Sequence, residues 1–438
     1  MIEVTREFPG DFASSGFPAD VGVFKRSYGD AVARFEAARV ASPQRVAIAR
    51  ALTERTARAV APGEAEPAPA SAALEIVRGE GAPGLRIEVP FEGKTYRGAE
   101  VLGLVDRLHA AHHLTTAARD GLRWIVAHVE AAGGSLDLSE HKFAVLGAAA
   151  ELSPAPLLLQ AGAQVLWVDL QRPPAIVTGT VAYAPNAVDL LRQPKGVTAA
   201  IREFAGKDRV HLGMFAYAPG KGRELRLAEA MNNIAQDLGP EVLRSLALFV
   251  SPTSPGELQP EDAAVVESRR KAPKGWQRAL SFVGVLKGPG HYGVGTHTAA
   301  RAVISLQGAN YQAAQYVSKM LRAEVFAHDG FRVSANVAGI SRTKSLEHPL
   351  FLAAFEGAPS FGVRIFDADT TQALATLLML HDLLKPATTG TELEQARCVH
   401  AAQIHGGVYT LPWQFEAAVR AAAVLGAARR PGLVLRRR

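Results

Sequence analysis

A single cysteine, Cys398, is all that 438 residues contain. That excludes an internal disulfide and any cysteine-built metal cluster, and a lone thiol among scattered histidines makes no thiol-enzyme signature. The chain also lacks an apolar run of roughly 18 residues, so it predicts no transmembrane segment. Met1 to Asp11 is polar rather than leader-like, which makes a cytoplasmic location the expectation. His109, His112 and His113 have helical spacing but no His-Glu-x-x-His pattern around them, and no metal site is expected. Aromatic and basic residues are not interleaved. The net charge of +6 and isoelectric point near 9.4 owe much to Arg429-Arg430 and Arg436-Arg437-Arg438, and no nucleic acid partner is expected.

What remains is material for a large α/β core, since 48% of the residues are hydrophobic. Phe143 to Gly147 is a short apolar run, Ala148 to Ser153 a turn of small residues, and Pro154 to Leu159 a helix ending near Gly162, with Ser153 as its cap. Gln164 to Asp169 is a second strand. This is a β-α-β unit, and Asp169 follows Gly147 by 22 residues, the spacing at which a carboxylate meets an adenosine ribose and repels a 2′-phosphate. Asn186 can cap a helix over residues 187–192, Pro194-Lys195-Gly196 interrupts it, and Val197 to Phe204 continues as helix. Val210 to Tyr217 reads as a strand, Glu224 to Leu238 as a helix containing Asn232 and Asn233, and Leu246 to Val250 as a strand leading into Ser251-Pro252-Thr253-Ser254. From Tyr311 to Phe326 the apolar residues recur at helical spacing until Asp329-Gly330. Phe331, Val333, Ala335 and Val337 then alternate as a strand, followed by Ala338-Gly339 and Ser341 to Thr343. Gly362 to Phe366 reads as the last sheet strand.

The stretch from Tyr311 to Thr343 resembles the second half of a short-chain dehydrogenase/reductase core, where a Tyr-x-x-x-Lys helix runs into a Gly-Ile-Arg-Val-Asn strand and a Pro-Gly loop. Lys319, preceded by Val317-Ser318, fits the lysine. Gly330-Phe331-Arg332-Val333 fits the strand entry, Ser334 replaces the asparagine, Ala338-Gly339 replaces Pro-Gly, and Thr343 falls where the family contacts its cofactor. The position of the catalytic tyrosine is Gln315. An amide cannot donate the proton that a forming alkoxide needs. Tyr311, Gln315 and Lys319 share one helical face while Tyr316 points about 100° away, so Tyr311 is the better substitute. In the β-α-β turn only Gly147 of the family's glycines survives, and Glu151 stands where backbone should approach a diphosphate.

The resemblance implies a Rossmann-like doubly wound parallel sheet over residues 141–385, with an insertion at about 255–310, an N-terminal α+β extension (1–140) containing a Pro/Ala-rich stretch at 62–72, and a helical C-terminal tail (386–438). It implies an NAD(P)-dependent oxidoreductase, of ketoreductase type in biosynthesis, acting on a carbonyl/alcohol pair of a large or carrier-bound substrate. The alternatives are a non-redox enzyme of the same fold or an inactive partner subunit. Catalytic candidates are Tyr311, Gln315, Tyr316, Lys319, Ser251, Ser254 and Asn232. Cofactor candidates are Gly147, Glu151, Ser153, Asp169, Lys319, Gly339 and Thr343, with Asp169 favouring NAD. A homodimer pairing through the Tyr311 helix follows from the same resemblance. In the insertion, His291, Tyr292 and His297 around a glycine-rich loop can supply a displaced acid/base, Ser305 is a further serine candidate, and His405 can cap a substrate pocket.

Overall fold

A computed structural model describes residues 1–60, 74–185, 189–220, 222–346, 348–386 and 399–432. Cys398, the stretch 62–72, Asn186 and Arg436 to Arg438 lie outside the described residues. The strands, in chain order, are β1 (Glu75–Arg78), β2 (Glu88–Phe91), β3 (Lys94–Arg97), β4 (Lys142–Leu146), β5 (Gln164–Val168), β6 (Thr180–Tyr183), β7 (Val210–Met214), β8 (Leu243–Val250), β9 (His291–Val294), β10 (His297–Ala300), β11 (Val333–Val337), β12 (Ser341–Arg342) and β13 (Phe366–Asp367). A central seven-stranded sheet runs β1-β6-β5-β4-β7-β8-β11. Six of these strands are parallel, and β1 closes one edge antiparallel to β6.

Both faces of this sheet are dry because successive strand residues point to opposite sides and both sides are apolar. Phe143, Val145, Val165 and Trp167 pack against the helices Glu100–Ala110, Thr116–Ala131 and Ala368–Leu384. Ala144, Leu146, Leu166 and Val168 face the other way, onto Tyr28–Ala41, Arg45–Ala59, Pro194–Ala205 and Arg223–Val242. Among the described residues, no helix is long and apolar enough to cross a membrane.

Several elements differ from the sequence reading. β6 has only four residues between irregular flanks, too short to stand out as a period. Pro194 begins the helix Pro194–Ala205 rather than interrupting one, because a first-turn position needs no N–H. Gly362 to Phe366 does not join the sheet; only Phe366–Asp367 pairs, with β12, in a separate two-stranded ladder. The tail from 399 to 414 is irregular and lies beside β11, where the Ile404 N–H donates to the Val337 carbonyl at 2.8 Å; its helix is Phe415–Arg429.

The helix carrying Tyr311 and Lys319 spans 309–328 and widens to a π-helix over Ala313–Leu321. From Ala314 to Ala327 nearly every residue is buried by the chain itself, so the face expected to pair two subunits is already covered. The cover is held by buried charge. Glu324 accepts two hydrogen bonds from Arg39, at 2.7 and 3.0 Å, and two from Arg45, at 2.9 and 3.4 Å. Arg39 also grips Glu36, to which the Tyr316 hydroxyl donates at 2.6 Å. Burial pushes the Glu324 carboxyl up, but Arg39 and Arg45 outweigh it and hold the pKa well below the usual range.

Removing one partner from such a cluster leaves an unpaired buried charge, so Glu324→Ala is expected to cost roughly 3–5 kcal/mol. Urea unfolding at neutral pH measures it, and a loss below about 1 kcal/mol would show that the cluster does not hold the N-terminal helices down.

Candidate active site

The parallel strands end together at a cavity of about 720 Å³ lined by residues that follow β4, β5, β7, β8 and β11. Ligand crevices of open α/β sheets form at this edge, where strand order reverses. Here the reversal falls between β4, whose helix leads to β5 on one side, and β7 on the other.

Gly147 turns the chain out of β4 with φ +80°, and a Cβ there would lie 2.3 Å from the Ala216 backbone. Glycine at this position is therefore required by the segment that follows β7. The turn is closed by its own backbone, Ala150 N–H to Gly147 O and Ser153 N–H to Ala150 O. Asp169 reaches over from the end of β5: one carboxylate oxygen accepts from the Ala149 N–H at 2.9 Å, the other from the Gln171 N–H at 3.0 Å. Glu151 is exposed on the cavity wall and accepts from the Lys344 N–H at 3.0 Å, so its charge is turned to the loop after β11. Ser153 is buried outside the lining and receives the Ala155 N–H at 3.3 Å.

Across the cavity, Tyr311, Gln315 and Lys319 all line the wall, as residues four apart on one helix face should. Gln315 is a clamp: its Oε1 accepts from the Ser251 N–H at 3.2 Å and pins the end of β8. The Tyr311 phenol stands against the hydroxyls of Ser251 and Thr253, which bond one another at 2.9 Å. Burial raises its pKa and those two hydroxyls pull it partly back. The Lys319 ammonium donates to the Phe249 carbonyl at 3.4 Å, and burial alone draws its pKa down to about 8. Gly339 and Thr343 complete the wall after β11.

Other candidates lie elsewhere. Tyr316 is buried on Glu36, because the next residue on a helix cannot share the face of Gln315. Asn232 donates to the Ser318 carbonyl at 2.8 Å, on the far side of the Lys319 helix. Ser254 is buried, its carbonyl taken by the Tyr409 hydroxyl at 3.1 Å. His291 is held by the Tyr409 carbonyl and His297 by Glu257, while Tyr292 is sandwiched between Arg34 and Arg301. His405 does not line this cavity; it is buried 3.2 Å from Asp262. Ser305 bonds Glu416 at 2.6 Å. Among the described residues, no group of three His, Cys, Asp or Glu side chains is placed to hold a metal.

Two parts of the site escaped sequence reasoning. Thr253 joins the serine expected at the end of β8. The second is an apolar wall from the helices Pro349–Gly357 and Phe415–Arg429. Its signal was present, as a Phe-x-x-Ala-(Phe/Val)-x-x-Ala pattern from Phe351 to Ala358 and again from Phe415 to Ala422.

No protein-family model matches this chain, and no curated protein matches it.

A lysine titrating near 8 is measurable. Reductive carbon-13 methylation should give one dimethyl-lysine resonance with a midpoint of about 8 that is absent in Lys319→Met. A full set of lysines titrating in the ordinary range near 10.4 would refute the burial argument.

Proposed function

We propose that the chain is an NAD(H)-dependent oxidoreductase acting on a carbonyl/alcohol pair, with Tyr311 in the role usually played by a tyrosine four residues before the lysine. The observation that carries this reading is the convergence of Tyr311, Ser251 and Lys319 on one cavity at the carboxyl edge of the sheet. The order of the parallel strands supports it: counted along the chain from β4, they lie 3-2-1-4-5-6, the order of doubly wound dinucleotide-binding sheets.

The residues fit a nicotinamide dinucleotide at its two ribose ends. Lys319, charged below its pKa of about 8, can donate to ribose hydroxyls beside the reacting centre. Asp169 keeps carboxylate lone pairs for the adenosine ribose and repels a 2′-phosphate, which favours NAD over NADP. A bound nicotinamide would supply or accept the hydride. The raised pKa of Tyr311 keeps the phenol protonated at neutral pH, ready to donate to a carbonyl oxygen as it becomes an alkoxide. Ser251 and Thr253 hold that phenol and offer hydroxyls to the same oxygen. Gln315 moves no proton; it positions Ser251.

One observation favours a second reading, a non-redox enzyme of the same fold. In the turn after β4, the N–H groups of Ala149, Ala150 and Ser153 are already bonded within the protein, and Glu151 adds negative charge beside them. A diphosphate has little there to bind.

Titration with NADH and NADPH, followed by nicotinamide fluorescence, separates the two. The redox reading expects saturable binding that is tighter for NADH, weakened by Lys319→Ala, and less discriminating in Asp169→Ala. Tyr311→Phe should retain binding and lose about 10²–10⁴-fold in turnover. Binding should also fall as pH rises through about 8, because Lys319 loses its proton there. No binding of either nucleotide at millimolar concentration would favour the non-redox enzyme.

A further inference from the structure

The cavity extends beyond its polar end. Past Tyr311 its wall becomes hydrocarbon: Phe351, Ala354, Phe355 and Ala358 from one side, Phe415, Ala418, Val419 and Ala422 from the other, with Ile304 and Phe361 between them. Each set follows i, i+3, i+4, i+7 spacing, so each is a continuous strip along one helix. The strip from Phe415 to Ala422 is about 10 Å long.

The two helices are antiparallel and as close as backbones allow. A Cβ on Gly357 would fall 1.9 Å from the Ala422 carbonyl oxygen, and one on Gly426 would fall 1.9 Å from that of Ala353. Ala353-x-x-x-Gly357 and Ala422-x-x-x-Gly426 therefore form the seam, and the neighbouring faces are left to the cavity. In those faces positions 354, 358 and 418 are alanine, where a larger apolar residue would fill the space and bury more surface. Open apolar volume lowers stability unless something occupies it, and a void without polar partners takes apolar ligands in preference to water.

We infer that this chamber is a subsite for a flexible alkyl or acyl chain, so that the substrate is a carbonyl compound whose reacting end lies at Tyr311 and whose hydrocarbon tail runs between the helices Pro349–Gly357 and Phe415–Arg429. The substrate class rests on the proposed redox function; the chamber itself does not. Tail and reacting group are placed together because Ile304 and Leu306, just ahead of the Tyr311 helix, line the same cavity, and the helix Phe415–Arg429 is fastened to that segment by Glu416, which accepts from the Ser305 hydroxyl at 2.6 Å.

The test uses neutral, unreactive chains: butanol, hexanol, octanol and decanol, titrated calorimetrically into the full chain. Affinity should rise about three- to fourfold per methylene until the chamber is full. Ala418→Phe should weaken decanol binding by roughly tenfold or more, with Ala354→Leu as a second blocking variant should the first not fold. Val424→Phe, on the exposed side of the same helix, should bind like the unaltered protein. A parallel NADH titration keeps the two conclusions apart. Affinity flat with chain length, or unmoved by both blocking variants, in protein that binds NADH would overturn the chamber and leave the redox reading standing. Graded affinity in protein blind to NADH would support the chamber and remove the redox reading.

Discussion

Arg39 and Glu324 meet where neither side chain is exposed to solvent, and the position of the whole site follows from that contact. Two arginines and two glutamates are buried together, with the Tyr316 hydroxyl closing the last acceptor of Glu36. Such clusters add little net stability compared with hydrocarbon, because desolvation consumes most of the Coulombic gain. What they supply is discrimination among arrangements. A one-residue slide of the helix Tyr28–Ala41 against the Lys319 helix would strand charges in a dry interior, whereas the same slide between two apolar faces would cost much less.

The register fixed in this way reaches the cavity through a single helix. Anchoring Tyr316 and Glu324 on the N-terminal helices commits the opposite face, with Tyr311, Gln315 and Lys319, to the edge of the sheet. The π-helical stretch Ala313–Leu321 carries Tyr316 of the anchor together with Gln315 and Lys319 of the site. Wide turns of this kind persist where surroundings overdetermine them and often occur at functional positions. Here the surroundings include Asn232, which bonds the Ser318 carbonyl within that stretch. Asn232 therefore supports the helix that bears the lysine and stays out of the cavity. The N-terminal helices cover the face of the Tyr311 helix that carries Tyr316 and Glu324, so this chain braces that helix internally.

Elements were legible in the sequence wherever one physical period dominated. Phe143 to Leu146 and Gln164 to Val168 are apolar on both faces, as parallel strands between two helical layers must be, and Asp169 stands at the carboxyl edge where the spacing predicted it. The face shared by Tyr311, Gln315 and Lys319 followed from helical geometry alone. Long-range pairings were not legible. Nothing local announces that Tyr316 will find Glu36, 280 residues away in sequence, or that β1 will close the sheet beside β6. Ser251, Thr253 and Ser254 are equivalent hydroxyls on paper; the bend after β8 buries Ser254 and turns the first two to Tyr311. The apolar wall was missed for a related reason: a Phe/Ala strip on a helix reads as core, and only the packing of two such helices through Gly357 and Gly426 shows that their faces do not meet.

Under the proposed reading Tyr311 can act as the proton donor with Gln315 one turn closer to Lys319, because a proton donor is specified by where its oxygen lies. The Gln315 amide pins the end of β8 through the Ser251 N–H, and the Tyr311 phenol rises about one turn before it, two turns before Lys319 on the same face. The Tyr311 oxygen meets the Ser251 and Thr253 hydroxyls together, so two hydroxyls orient it. Among the described residues Lys319 has no carboxylate against it; its ammonium meets the Phe249 carbonyl, and burial alone draws its pKa down to about 8.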